Sequence, residues 1–164
     1  MPLRTGVRLA LDWGDARIGV AACDPGGVLA YPVATVVAGE HALATVVQLV
    51  AEYAPIEVLF GLPRTLAGTE GPAAVKLRSV ALQLAGLLAG ASRGVDGVPV
   101  RLVDERLSTV TASRSMRASG RNAPQQRSRI DQAAAMVILE HALDSERATG
   151  TAAGELLSPQ AGAD

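Results

Sequence analysis

Apolar and polar positions alternate on a strand-like period through the first quarter of the chain. Residues 7–12 are apolar apart from Arg8 until the run closes on Asp12, and residues 18–24 form a second run closing on Asp24. A polar link containing Gly14 and Asp15 joins them, which predicts a hairpin. Asp24-Pro25-Gly26-Gly27 carries strong turn chemistry, and residues 33–37 then predict a third strand. Three antiparallel strands open the chain.

The period then changes. Leu43, Val46, Val47 and Val50 recur at i, i+3, i+4 and i+7, one face of a helix that Pro55 terminates. Residues 56–61 are a buried-type strand, and residues 61–72 form a loop punctuated by Gly and Pro. A helix with Leu77, Val80, Leu84 and Leu87 on its inner side runs to about Gly90, and residues 98–104 predict a fifth strand. Ser108 or Thr109 caps a short helix to about Ser119, since a hydroxyl there accepts amide hydrogens of the first turn. A polar loop follows over 119–126. Ile130, Ala133, Ala134, Val137 and Ile138 mark the last helix, to about Ser145. The fold class expected is α/β: a mixed five-stranded sheet, a three-stranded antiparallel meander plus α/β crossovers, with helices on both faces. One domain over 1–145 is expected, and the Ala/Gly/Ser/Pro-rich residues 146–164 are expected to be a disordered tail.

Composition narrows the functional classes. The chain has 164 residues, 49% of them hydrophobic, which suits one core, and its formal charge of −1 excludes a polycation that coats nucleic acid. The single cysteine, Cys23, excludes an internal disulfide framework and a Cys-rich zinc site. No apolar run is expected to reach the ~18–20 residues of a membrane span, and no apolar signal core follows Met1, so a cytoplasmic protein with no membrane partner is expected. Only Trp13, Tyr31, Tyr53 and Phe60 are aromatic, too few for a platform that stacks several bases. Fourteen Arg to one Lys, Lys76, reads first as codon bias, because Ala and Gly are also abundant.

Three carboxylates sit at edges of the apolar pattern. Asp12 ends the first strand, Glu105 follows Asp104 at the end of the fifth, and Asp131 is expected in the first turn of the last helix. Singly, each has a structural account: a hairpin cap, a solvated turn pair, a helix-dipole partner. Together, on neighbouring strand ends, they would repel one another, and a divalent cation removes the conflict. Such oxygen donors suit Mg²⁺ or Mn²⁺, and a pair of ions can cleave a phosphodiester.

Residues 11–21, Leu-Asp-Trp-Gly-Asp-Ala-Arg-Ile-Gly-Val-Ala, resemble the opening signature of the YqgF family of RNase H-like nucleases, known as pre-16S rRNA nucleases or Holliday-junction-resolvase-like proteins. Phe60-Gly61-Leu62-Pro63 resembles that family's Gly-Leu-Pro loop. Residues 103–109 are similar to its Asp-Glu-Arg motif, and Ile130-Asp131-Gln132-Ala133-Ala134 to its C-terminal acidic helix. The four motifs run in order across residues 7 to about 143. The resemblance implies an RNase H-like fold and metal-dependent phosphodiester hydrolysis with Mg²⁺ or Mn²⁺ as cofactor, and Asp12, Glu105 and Asp131 as the catalytic and metal-holding acids. Implied substrates are structured RNA, the 5′ end of pre-16S rRNA, or branched DNA, the four-way Holliday junction. The functions implied are ribosome biogenesis or DNA recombination, by a monomer or homodimer. Departures from the family pattern, Arg127 and Arg129 before the last acid and the loop over 64–68, bear on substrate rather than on the acids.

Residues 93–129 hold eight Arg against three acids, a local excess of +5 in a chain of −1, which predicts an anionic docking surface. Arg106, Arg114, Arg117, Arg121, Arg127 and Arg129 are its candidates, with Arg17 from the opening signature. Arg17 and Arg106 are equally placed to pair with an acid internally. Cys23 is expected to be a small core residue, and His41 and His141 have no ligand spacing. Two other readings stay open: a catalytically silent RNA- or ribosome-binding module, and a nucleotide-binding protein similar to the actin and sugar-kinase group. The chain lacks room for the second domain that the latter usually needs.

Overall fold

The computed structural model describes residues 3–63, 68–90, 97–105 and 124–158. Its elements are β1 (Arg8–Trp13), β2 (Arg17–Cys23), β3 (Ala30–Val37), α1 (Ala42–Tyr53), β4 (Glu57–Leu62), α2 (Pro72–Gly90), β5 (Val100–Asp104), α3 (Pro124–Thr149) and β6 (Glu155–Leu157). They form one mixed sheet in the order β3-β2-β1-β4-β5-β6. The meander β1–β3 is antiparallel, β4 and β5 add in parallel to β1, and β6 pairs antiparallel with β5. The expected mixed sheet, an antiparallel meander extended by parallel crossover strands with helices on both faces, is present, with one strand more. The helix expected near 108–119 lies outside the described residues.

Strand alternation sorts side chains to two faces. Leu9, Leu11, Val20, Phe60 and Leu102 pack with Val46 and Val50 of α1 and with Leu77, Leu84 and Leu88 of α2. Ala10, Ala21, Cys23, Leu59 and Val103 pack with Ala134, Ala135, Ile138 and Leu139 of α3. The second face is built largely from small residues on both sides, which lets α3 lie close on the sheet. Cys23 is buried there, as expected.

Several expectations are corrected. Leu87 faces outward at 48% exposure, and the inner face of α2 is Ala74, Leu77, Ala81, Leu84 and Leu88. By length and composition α2 also qualifies as a membrane span, contrary to the expectation that no run is long enough. One side of it is nonetheless packed against the sheet. The last helix begins at Pro124 and runs to Thr149, so residues 124–126 are helical rather than loop. Residues 146–158 are not a disordered tail: they complete α3, turn at Gly150 and Gly154, and add β6. Gly154 has φ +77°, and a β-carbon there would lie 2.1 Å from the Leu102 carbonyl oxygen. The apolar pattern of α3 fades after Leu143, and polar contacts hold its final turn.

Those contacts form a buried ionic clamp at the N-terminal ends of β1 and β4. Arg4 Nη2 donates to Glu57 Oε1 and to Glu146 Oε1, both at 2.6 Å. Arg8, 1% exposed, donates to Glu146 Oε2 at 3.0 Å and to the carbonyls of Arg4 and Gly6. Arg101 Nε lies 3.4 Å from Glu57 Oε2. Arg147 donates to the Gly27 carbonyl. Burial pushes the Glu146 carboxyl up, but the hydrogen bonds from Arg4 and the charges of Arg8 and Arg4 outweigh it, holding it below the ordinary value of 4.5.

A carboxyl held low contributes stability above its ordinary value and loses that contribution as pH falls through its folded value. Glu146→Gln, which leaves buried Arg8 with Glu57 alone, 3.5 Å from its Nε, should therefore cost about 1.5–3 kcal/mol at pH 7. Urea unfolding at neutral pH and again well below 4.5 checks this. The gap between wild type and variant should narrow on the acid side, and an equal gap at both would refute the clamp's charge role.

Candidate active site

The three acids lie on the α3 face toward the C-terminal end of β1, the pole opposite the clamp. Asp12 is fully buried, as is Asp131, and Glu105 is 3% exposed. β1 lies between β2 and β4, and both flanks of Asp12 are glycine. On one side the ladder pairs Asp12 with Gly19. A β-carbon at Gly19 would lie 1.9 Å from the Asp131 carbonyl oxygen and 2.3 Å from its carbonyl carbon. The backbone of Asp131 thus occupies the side-chain space of residue 19. Opposed residues on one face are ~4.5–5.5 Å apart, so this puts Asp131 next to Asp12.

On the other side the parallel ladder ends at Leu11 with Phe60, and one step on brings Asp12 beside Gly61. A β-carbon at Gly61 would lie 2.7 Å from Glu105 Oε2 and 2.6 Å from Ile138 Cδ1. Glu105 follows β5 directly, and its amide donates to the Leu62 carbonyl at 3.2 Å. That bond extends the ladder by a residue, so alternation sends Glu105 inward while Asp104 stays exposed.

Asp131 is the eighth residue of α3, not in its first turn as the sequence predicted. The helix-dipole account of this acid therefore falls. Arg17 Nε donates to Asp131 Oδ2 at 2.9 Å, with the Arg17 side chain 30% exposed. Of the two roles open to Arg17, it takes the internal one. Three residues that the sequence did not single out anchor this part of α3 to β3. Ser128 Oγ and Gln132 Nε2 donate to Thr35 Oγ1 at 2.7 and 3.0 Å, and Thr35 Oγ1 donates to the Ser128 carbonyl.

The remaining basic candidates divide. Arg106, Arg114, Arg117 and Arg121 lie outside the described residues. Arg129 is exposed on the first half of α3, and Arg127, two residues earlier, is half-buried, its Nε without a hydrogen-bond partner among the described residues. Arg101, counted in the basic surface, instead serves the clamp through Glu57. His41 and His141 are exposed and take no part.

For a divalent cation, the donor set fits in kind, as hard carboxylate oxygens buried on a common face. In arrangement the fit is incomplete. Among the described residues no three Asp, Glu, His or Cys side chains form a group set to hold a metal ion. Arg17 meanwhile engages one oxygen of Asp131.

The family described as RuvX, Holliday junction resolvase, matches residues 6–145. The chain belongs to that family. A Streptomyces avermitilis relative named "Putative pre-16S rRNA nuclease" is 57% identical, over 94% of this chain and 96% of its own length. Relatives of the same name from Streptomyces coelicolor and a Nocardioides species are 56% and 51% identical, over 93% and 94% of this chain and 89% and 98% of their own lengths. Among solved structures, the chain is similar to Thermus thermophilus RuvC in complex with a Holliday junction substrate. That match has 17% identity and a TM-score of 0.49, over 93% of this chain and 99% of that one. The resemblance carried by the four motifs is borne out, and with it the expectation of a nuclease, a hydrolase of this family.

Gly19→Ala should cost about 1–3 kcal/mol and misplace Asp131, because the added methyl meets helix backbone. Gly61→Ala meets only the far ends of Ile138 and Glu105 and should cost less. Denaturant unfolding of both variants checks the ranking, and the reverse order would refute the contact at Gly19.

Proposed function

We propose that the chain is an Mg²⁺- or Mn²⁺-dependent endonuclease of structured nucleic acid, acting on the 5′ end of pre-16S rRNA, on four-way DNA junctions, or on both, in the cytoplasm. The observation that carries this reading is the burial of Asp12, Glu105 and Asp131 around two glycines on one face. Asp12, Glu105 and Asp131 would hold the cation. When bound, it would neutralise charge on the scissile phosphate and favour a hydroxide nucleophile near neutral pH.

The chain's own residues do the placing. The rigid end of β1 presents Asp12, and burial of all three acids keeps bulk water from screening them. Arg17 fixes one oxygen of Asp131 and leaves the orientation of the other to α3. Arg127 stands one helical turn before Asp131 and Arg129 two residues before it, at the part of α3 where a phosphate backbone would pass. Arg106, Arg114, Arg117 and Arg121 extend the same proposal along the intervening segment. Symmetric cutting of a junction would call for two sites and hence a homodimer, whereas trimming of an RNA end needs one site and suits a monomer.

Purified protein should cleave one or both substrates with Mg²⁺ or Mn²⁺ and neither in a chelator. Asp12→Asn should lower the rate roughly 100-fold or more while keeping the unfolding midpoint. Cleavage in chelator would refute the metal requirement, and retained turnover in the variant would refute the role of Asp12. Salt-sensitive binding with no cleavage by folded protein would point to a binding module instead.

A further inference from the structure

Across the sheet from the acids, at the same end of β1, lies a cleft of about 880 Å³. The β1–β2 turn, the β3–α1 connection and one side of α2 enclose it. Trp13, Leu43, Leu77 and Val80 supply apolar lining, and Gln83 adds a side-chain amide. We propose that this cleft takes one unpaired nucleobase of the substrate strand, stacked on Trp13.

Trp13 directly follows Asp12, so the two side chains leave β1 on opposite faces from α-carbons ~3.8 Å apart. The end of β1 is therefore a rim shared by the acids and the cleft. A strand whose phosphate lies at Asp12 can turn its base over that rim. Arg17 also joins the two sides, since it lines the cleft and bonds Asp131. The indole is fixed before any ligand arrives: its ring stacks on buried Phe60, with centroids 5.7 Å apart and 29° between planes. A flat group stacking on a ring already held loses little side-chain freedom.

The charge pattern selects a base over a phosphate. The Arg17 guanidinium is engaged by Asp131 on the other face, and among the described lining residues Lys76 stands against Asp15 and Glu40. Lys76 Nζ also lies 3.4 Å from Asp15 Oδ1. An anion thus gains no net attraction inside, whereas an uncharged aromatic ring gains the apolar walls. The Gln83 amide both donates and accepts, as a base edge requires. Bases stacked within a duplex cannot enter, so the cleft would favour an unpaired nucleotide next to the cleavage point. One aromatic suffices for one base, in keeping with the absence of a multi-base platform. The nuclease reading supplies the identity of the ligand, and the test separates the two.

Trp13 is the chain's only tryptophan, so its fluorescence reports on the cleft directly. The full chain in chelator is titrated with a single-stranded hexanucleotide and with an abasic hexamer of the same backbone. Saturable quenching by the first and little by the second is expected. Val80→Glu, which puts a charge on the cleft wall, should abolish the quenching. Trp13→Leu should weaken binding of a labelled hexanucleotide roughly tenfold, by anisotropy, in protein shown folded. Equal quenching by the abasic strand would overturn the proposal. So would an absence of quenching in protein that cleaves normally once metal is restored. Base-dependent quenching by protein that cleaves nothing would uphold the cleft and refute the nuclease reading.

Discussion

Helix α3 rests on the sheet with the Asp131 carbonyl inside the space that any side chain at position 19 would fill. Everything at the candidate site depends on that approach. It requires Gly19 on β2, and it is eased by Ala10, Ala21, Ala134 and Ala135 around it, which keep helix and sheet close. A bulkier residue at any of these points would lift the helix and carry Asp131 away from Asp12. Close packing makes such a shift costly, because interiors have little free volume to absorb it.

The helix is held at both ends by different chemistry. Near Asp131, hydroxyl and amide bonds join Ser128 and Gln132 to Thr35, and Arg17 reaches across from β2. At the far end Glu146 is gripped by Arg4 and Arg8. A buried ion pair is a weak source of net stability, but losing one partner strands the other, so the clamp enforces one position of the helix strongly. The acids need that enforcement. Carboxylates crowded on one face repel, and a backbone fixed from outside the site opposes that repulsion.

Arg17 gives the site a dual character. It pairs with Asp131 while also lining the cleft on the other face of the sheet. The acidic centre and the apolar cleft are thereby two sides of one strand end, and β1 presents them through consecutive residues, Asp12 and Trp13. Strand alternation alone produces this division.

Much of this was legible in the chain. Periods of two and 3.6 marked the meander, the crossover strands and the helices, because burial of one face imposes its period locally. The carboxylates at Asp12 and Glu105 stood out where apolar runs ended, and the strand register then showed why Glu105 rather than Asp104 turns inward. Position along α3 was not legible. The helix starts earlier than its apolar stripe, at Pro124, so the turn that holds Asp131 was misjudged. Nor was β6, whose three residues are held by pairing with β5 and by the turn at Gly154 rather than by any pattern of their own. The clamp was hidden as well, since Arg4, Arg8, Glu57, Arg101 and Glu146 are far apart in the chain and look like ordinary surface charges. The amino-acid order by itself determined the meander, the crossover strands and the main helices, and which acids interrupt their apolar runs. Tertiary structure alone decided which of those distant groups touch, because contact depends on how near two elements lie, and that distance is set by side chains belonging to neither group.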